Sequence, residues 1–167
     1  MEIEYSEALE IDAKKIIDYL TIVAKETDNL TFGIEDCIIN EVEEMNLIKE
    51  IHDDPNSTMI VAKDQEKIVG IASMTGNNNS RLKHRANIGV SVLKEYWNQG
   101  IGTNLMSVLI GYAVEAGIEI IDLEVVTDNE KAIALYEKFG FEIIGTYENY
   151  MKVNNRYMDV YIMNLYL

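Results

Sequence analysis

The sequence predicts an α/β protein of the mixed (α+β) kind, with a mostly antiparallel central sheet of about seven strands flanked by about four helices. Three observations predict it. Apolar residues recur with period 2 in some stretches and with helical spacing in others, and the two patterns interleave along the 167 residues. The order is strand, two helices, three strands, helix, strand, helix, two strands, which is a layered arrangement of helices on a sheet. Short polar turns at Asp64 to Glu66 and at Asn154 and Asn155 join strand pairs as antiparallel hairpins.

Each element has its own justification. Met1 to Tyr5 alternates weakly and is expected to be an edge strand. From Asp12, Ile16, Ile17, Leu20, Val23 and Ala24 make a helical face. Thr27 to Gly33 breaks that helix, and Ile34 to His52 reads as a second, very acidic one. Pro55 and Asn56 turn the chain. Ser57 to Ala62 and Lys67 to Ser73 are the arms of a hairpin. Thr75 to Arg85 is a polar loop whose Arg81, Lys83, His84 and Arg85 read as a charged connection rather than a phosphate site. Ala86 to Leu93 is a strand with Ile88, Val90 and Val92 on one face and Asn87, Gly89 and Ser91 on the other. The next helix carries Ile101, Leu105, Val108, Leu109, Tyr112 and Ala113 on one face and stops at Gly117. Ile120 to Val126 is a strand, Asn129 to Phe139 a helix with Gly140 as its stop, and Glu142 to Tyr150 and Arg156 to Leu167 are the closing strands.

Composition bounds the function. The length suits one domain spanning 1–167, long enough to bury a core. Near the N-terminus stand Glu2 and Glu4 rather than a basic segment leading into an apolar stretch, and no apolar run approaches a membrane helix. A cytoplasmic protein without a membrane partner is therefore expected. Cys37 is the only cysteine, which excludes an internal disulfide and a Cys-rich metal site; it reads as an inert buried thiol. His52 and His84 are too few and too scattered for a metal constellation, so no metal is expected. Net charge is −15, of which residues 1–60 hold −12, from 16 acids against four bases. Such a field repels nucleic acid and attracts cations. It reads either as a solvated surface that aids solubility or as an electrostatic funnel for a cationic amine.

Trp97 to Thr103, WNQGIGT, carries the chemistry. Gly100 and Gly102 let the backbone turn tightly and approach a ligand, and the amides that open the next helix have no intrahelical partner and favour phosphate. A P-loop is excluded, because no Gly-Lys pair exists in the chain. A dinucleotide fingerprint lacks its third glycine, which falls at Leu105. A bare GIG also fits a tight strand-to-helix turn with no ligand.

A second segment narrows the choice. Together with LEVVTDNEKAIALYEKFGF, Leu123 to Phe141, the loop resembles the GNAT family of acyl-CoA N-acetyltransferases. Ile88 to Trp97 is similar to that family's fourth strand and its exit, WNQGIG to its pyrophosphate loop, and Asn129, Tyr136, Gly140 and Phe141 to its second signature. The strong part of the resemblance runs from Ile68 to Phe141. It departs at Trp97, where the family usually carries Arg or Gln; the Trp resembles one large branch and removes one polar or cationic contact to the phosphates.

The resemblance implies a GNAT-like fold, acetyl-CoA as co-substrate and acetyl transfer to a primary amine. It implies that the amides of Asn98, Gln99, Gly100, Ile101, Gly102 and Thr103 wrap the pyrophosphate. It also implies that the pantetheine arm pairs with the backbone of Val90, Ser91 and Val92, whose amides then polarise the acetyl carbonyl. Asn129 is an N-cap by position, and the resemblance adds a contact to the cofactor arm. An alkyl amine with a pKa near 10 needs deprotonation. Glu124, a carboxylate in the middle of an apolar strand, is the candidate base; family members that acetylate a ribosomal-protein alanine carry a glutamate in the same LEV context. Otherwise Glu124 is a strand acid paired with a neighbouring Arg or Lys, and Asp122 is the lesser candidate. Tyr136, two helical turns after Asn129, is the candidate acid for the leaving thiolate, or else a core aromatic. The acceptor is expected to be a small cationic amine, with a peptide α-amine as the alternative; a third reading is an acyl-CoA sensor without turnover. Specificity is expected to lie in the first two helices and around Tyr147 to Tyr157, and dimers are frequent in the family.

Overall fold

The computed structural model describes residues 2–167; Met1, where the first expected strand begins, lies outside the described residues. Seven strands form one sheet: β1 (Ile3–Glu7), β2 (Thr58–Asp64), β3 (Lys67–Gly76), β4 (Arg85–Val92), β5 (Ile120–Val126), β6 (Glu142–Val153) and β7 (Arg156–Tyr166). Their order is β1-β2-β3-β4-β5-β7-β6, so β1 is an edge strand. Every pairing is antiparallel except β4 with β5. The four α-helices are α1 (Ala13–Glu26), α2 (Glu41–Asp53), α3 (Ile101–Glu115) and α4 (Glu130–Lys138). The expected order of elements and the mostly antiparallel sheet are both found.

Three sequence expectations need correction. The acidic segment Ile34 to His52 is not one helix. Ile34–Cys37 is a single 3₁₀ turn, and α2 starts afresh at Glu41. The reason is a capping box: the Asn40 side chain accepts from the Glu43 amide at 2.9 Å, and the Glu43 carboxylate accepts from the Asn40 amide at 3.4 Å. Cys37 is buried in the 3₁₀ turn, and burial, then Asp36 and Glu35, push its thiol pKa up. In α1 the fully buried stripe is Ala13, Ile16, Tyr19 and Val23, while Ile17, Leu20 and Ala24 are only half-buried. In α3, Met106 takes the core place expected of Val108, which is exposed.

Two cores flank the sheet. One lies between α3, α4 and the sheet and gathers Ile88, Leu105, Leu109, Ile121, Leu123 and Met163. The other lies under α1 and α2 and gathers Ile16, Tyr19, Ile48, Val61, Ile71 and Leu93. Truncating a fully buried Leu105 or Leu109 to Ala costs about 2–5 kcal/mol. α1 packs on β3 and α2 on β2, while β6 is exposed or half-buried along its whole length and Glu124 of β5 is exposed. The face on which Asp122 and Glu124 stand is the open one.

Many acids of the N-terminal region hold local structure. Asp12 is buried and meets Lys63 at 2.8 Å. Glu7 accepts from the Tyr112 and Thr58 hydroxyls. Glu26 accepts from the Lys94 amide at 2.8 Å, and Asp54 accepts from the Ser57 hydroxyl at 2.7 Å. Part of the −12 is therefore engaged in caps and pairs rather than facing solvent.

Candidate active site

The site begins where two strands part. β4 and β5 pair only over Arg85–Asn87 with Ile120–Asp122. Beyond Asn87, β4 keeps its pairing with β3 up to Val92 but has no partner on the side of β5. Antiparallel residues turn their amide and carbonyl alternately to either side. The Leu93 amide donates to the Val69 carbonyl at 2.9 Å. Ser91, two residues back, therefore also faces β3 and its partner Ile71, while Val90 and Val92 turn their amides and carbonyls to the cleft. The Val92 carbonyl accepts from the Trp97 indole Nε1 at 2.8 Å. The side chain of Ser91 works on the other face, where its hydroxyl shares a 2.9 Å hydrogen bond with the Tyr19 hydroxyl.

The loop that leaves β4 is built of positive-φ turns. Asn98 has φ 60° and Gly100 has φ 80°, and Gly100 is the N-cap of α3. The first intrahelical bond runs from the Asn104 amide to the Gly100 carbonyl at 3.0 Å. The amides of Ile101, Gly102 and Thr103 are thus the ones an α-helix leaves without a partner, and they sit at its positive dipole end. Ile101 anchors the turn by burying its side chain at 2% exposure. The Gln99 amide group folds back onto the Glu95 carbonyl at 3.1 Å, so its side chain is engaged within the loop. Gly102 is fixed by space: a Cβ there meets Leu135 Cδ2 at 3.2 Å and Val92 Cγ2 at 4.0 Å. α3, α4 and β4 therefore converge on one glycine, where a side chain would press on Leu135.

α4 closes the other side. Asn129 is its N-cap, and its Oδ1 accepts from the Ala132 amide at 3.4 Å. Tyr136 is 6% exposed and leans on Phe141, ring centroids 5.8 Å apart at 56°. Phe141 of the GF pair is thus the shelf that sets the tyrosine. Burial pushes the phenol up to about 12, above the ordinary value near 10. Among the described residues its hydroxyl bonds to no protein group, nor is it a sealed buried atom. The ring is packed, and the oxygen is available to an incoming atom.

The open face carries the carboxylates. Glu124 lies one alternation beyond the last β4–β5 pair, and its Oε2 accepts from Asn87 Nδ2 at 3.1 Å. Among the described residues no base pairs with it; the cation nearby, Arg85, is 3.8 Å from Asp122 instead. Asp122 is raised by burial first; Arg85 and Asn87 pull it back down, and Glu124 pushes it up. Tyr150 on β6 is raised by burial and then by Glu124, and it meets Tyr147 edge-on at 5.1 Å. Glu124 is therefore flanked by an amide, a second carboxylate and an aromatic wall.

Of the residues expected from sequence, Ser91 needs correction: strand alternation turns its amide and carbonyl to β3, so it offers no main chain to the gap between β4 and β5. Val90, Val92, Gly102, Asn129 and Tyr136 line the α3–α4 side of the cleft, and Glu124 stands at the opening on the other. Sequence reasoning missed Asn87, Tyr19 and Lys131, while Tyr150 falls in the Tyr147 to Tyr157 segment expected to shape the acceptor side. Asn87 carried a signal, since it sits on the strand face of Ser91 rather than among the valines, but its pairing with Glu124 depends on strand register. Among the described residues, no three His, Cys, Asp or Glu side chains cluster as metal ligands, and no helix is long and apolar enough to cross a membrane.

Known proteins are similar to this chain in sequence and in fold. An L-amino acid N-acetyltransferase of Escherichia coli is 32% identical over 116 residues, 69% of this chain and 72% of that protein. A spermidine N(1)-acetyltransferase of Vibrio cholerae is 27% identical over 122 residues, 72% of this chain and 69% of its own. The crystal structure of a GNAT-family acetyltransferase from Streptococcus pneumoniae superposes with a TM-score of 0.96 and 28% identity, over 99% of this chain and 100% of that one. A Salmonella typhimurium protein solved with its cofactor acetyl-CoA shares the fold at a TM-score of 0.88 and 17% identity, over 100% of this chain and 95% of that one. The model of the acetyltransferase (GNAT) family matches residues 22–141, from within α1 to the phenylalanine on which Tyr136 rests. This chain therefore belongs to the GNAT family and is an acetyl-CoA-dependent N-acetyltransferase.

Proposed function

We propose that the protein acetylates a small amine, a cationic one by preference, with Glu124 as the base and Tyr136 as the donor to the leaving sulfur. Acetyl-CoA supplies the acetyl group as a thioester when bound. The amides of Ile101, Gly102 and Thr103 hold its diphosphate, and the cleft-facing main chain of Val90 and Val92 receives its extended arm. Asn129, at the entrance of α4, lines the same path. The acceptor approaches from the open face. Glu124, directly or through a water, takes one proton from the ammonium, and the freed nitrogen forms the amide bond as the carbon–sulfur bond breaks. The Tyr136 hydroxyl hydrogen-bonds the departing sulfur. A phenol near 12 is a weak acid toward an ordinary thiol near 8.5. Burial in the same pocket would raise the thiol as well, which narrows the gap that the proton has to cross. The nitrogen's second proton, lost as the amide forms, replaces the one Tyr136 gives to the sulfur, so the cycle ends with the thiol formed, the phenol restored and one proton left on Glu124 for the solvent.

The observation that carries this reading is Glu124 at the cleft mouth, held by an amide rather than neutralised by a base. A structural acid would be expected to take the cation, and here Asp122 takes it. Small acceptors are favoured by the relatives that act on amino acids and on spermidine. A cationic acceptor is favoured by the net charge. The test is thiol release from acetyl-CoA against spermidine, single amino acids, aminoglycosides and short peptides. Turnover of small amines, weakened by salt for the polycations, is expected. Turnover of peptides alone overturns the acceptor class.

A further inference from the structure

The pyrophosphate loop carries no basic side chain of its own, and the protein around it has a net charge of −15. Coenzyme A is a polyanion, so the field of the whole chain opposes its approach. The loop amides offset this in part, but they carry only partial charges.

A cation does stand beside the loop, and it comes from α4. The ammonium of Lys131 lies over the Trp97 ring, 4.9 Å from its centroid. Trp97 opens the loop, and its indole is fixed by its bond to the Val92 carbonyl. The stacking therefore ties Lys131 to the end of β4. A second contact gives the same placement independently. Lys131 and Leu135 are four residues apart on α4 and share a side of the helix. Leu135 is the residue that closes on Gly102, 3.2 Å from where its Cβ would stand. Lys131 is thus one turn along from the contact that seats α4 against the start of α3.

Two further facts make its position unusual. Lys131 sits in the first turn of α4, where the helix dipole disfavours a cation and favours an acid such as its neighbour Glu130. Among the described residues no carboxylate lies within ion-pair distance of it, although the chain holds 29 acids. A stacked, unneutralised ammonium keeps its charge for something else.

We infer that Lys131, shelved on Trp97, is the side chain that neutralises the diphosphate of the acyl donor at this loop. Trp97 then does more than fill the place of a polar residue: it positions a cation delivered from another element. This inference rests on the loop being the diphosphate site, as proposed above.

Calorimetric titration of coenzyme A and of 3′-dephospho-coenzyme A into four proteins tests it: the unaltered chain, Lys131→Gln, Lys131→Arg and Gly102→Val. Lys131 is exposed, so its variants keep the fold. Loss of one charge-assisted phosphate contact weakens binding about tenfold. That loss is expected with both ligands in Lys131→Gln, with Lys131→Arg close to the unaltered chain. Binding within about twofold of the unaltered chain in Lys131→Gln overturns the inference. So does a loss confined to coenzyme A, which would put Lys131 on the 3′-phosphate, or an equal loss in Lys131→Arg, which would deny the role of charge. Gly102→Val separates the two levels. If it binds normally, the loop is not the diphosphate site and both readings fall; if it alone loses binding, only the role of Lys131 falls.

Discussion

Where β4 and β5 part, the two faces of the sheet are made of different materials. On the side of α3 and α4, the groups proposed to meet the acyl donor are largely main chain, the amides of Ile101 to Thr103 and the backbone of Val90 and Val92, joined by the side chains of Asn129, Tyr136 and Lys131. Side chains there mostly pack, as Ile101, Leu135 and Phe141 do, and they fix where the main chain goes. On the open side the polar groups that gather around Glu124 are side chains from three strands: Glu124 and Asp122 from β5, Asn87 and Arg85 from β4, and Tyr150 from β6. The difference teaches which part of such an enzyme is constant. A diphosphate and an extended arm are the same in every turnover, and backbone geometry can be dedicated to them. Acceptors differ, and exposed side chains on a bare sheet face can change without disturbing a core.

The sharpest way to break this comparison is to remove one side chain from each face. Glu124→Gln and Tyr136→Phe are each expected to lower kcat about 10²- to 10⁴-fold, with affinity for coenzyme A retained. Steady-state rates and ligand titration on the same preparations check both. Full turnover of either variant at its optimal pH removes that residue from the mechanism.

A second prediction tests how deeply Tyr136 is committed to the packed face. Its pKa rises from the ordinary 10 to about 12 because of burial. A group raised in the folded state holds its proton more tightly there than in the unfolded chain. Stability is therefore whole below pH 10 and declines as pH climbs from 10 towards 12, by about 2–3 kcal/mol across that window. Denaturant melts of the unaltered chain and of Tyr136→Phe at pH 9 and pH 11 should diverge, with the variant losing less. Parallel losses would mean that the phenol titrates freely.

The smallest effect concerns the open face. Asn87→Ala removes the amide that holds Glu124, and kcat should fall about tenfold while the KM for acetyl-CoA stays unchanged. A change in that KM instead would place Asn87 on the donor side.

The same division explains what could be read from the sequence. The donor side is contiguous: WNQGIG and the run from Asn129 to Phe141 each lie within one short passage of chain, so their spacing is visible. The pair Asn87–Glu124 spans 37 residues and depends on a strand register that no local pattern displays. Lys131 and Trp97 meet only because α4 folds back on the loop. Tyr19 stands outside the aliphatic stripe that periodicity picks out in α1; burial beside Ser91 supplies the partner its hydroxyl needs. The break before α2 was legible in principle, since Asn40 and Glu43 form a capping box, but the surrounding isoleucines continue the helical period and obscure it.

The bond between Trp97 and the Val92 carbonyl has a consequence for the life of the protein in a crowded solution. The unpaired edge of β4 presents the same row of donors and acceptors that lets sheets grow by recruiting foreign strands. By occupying the last carbonyl of that edge, the indole confines it to the few residues between Asn87 and Val92. That suits a thin flexible arm better than another polypeptide. One side chain at the rim thus shortens the stretch of open edge that another strand could join.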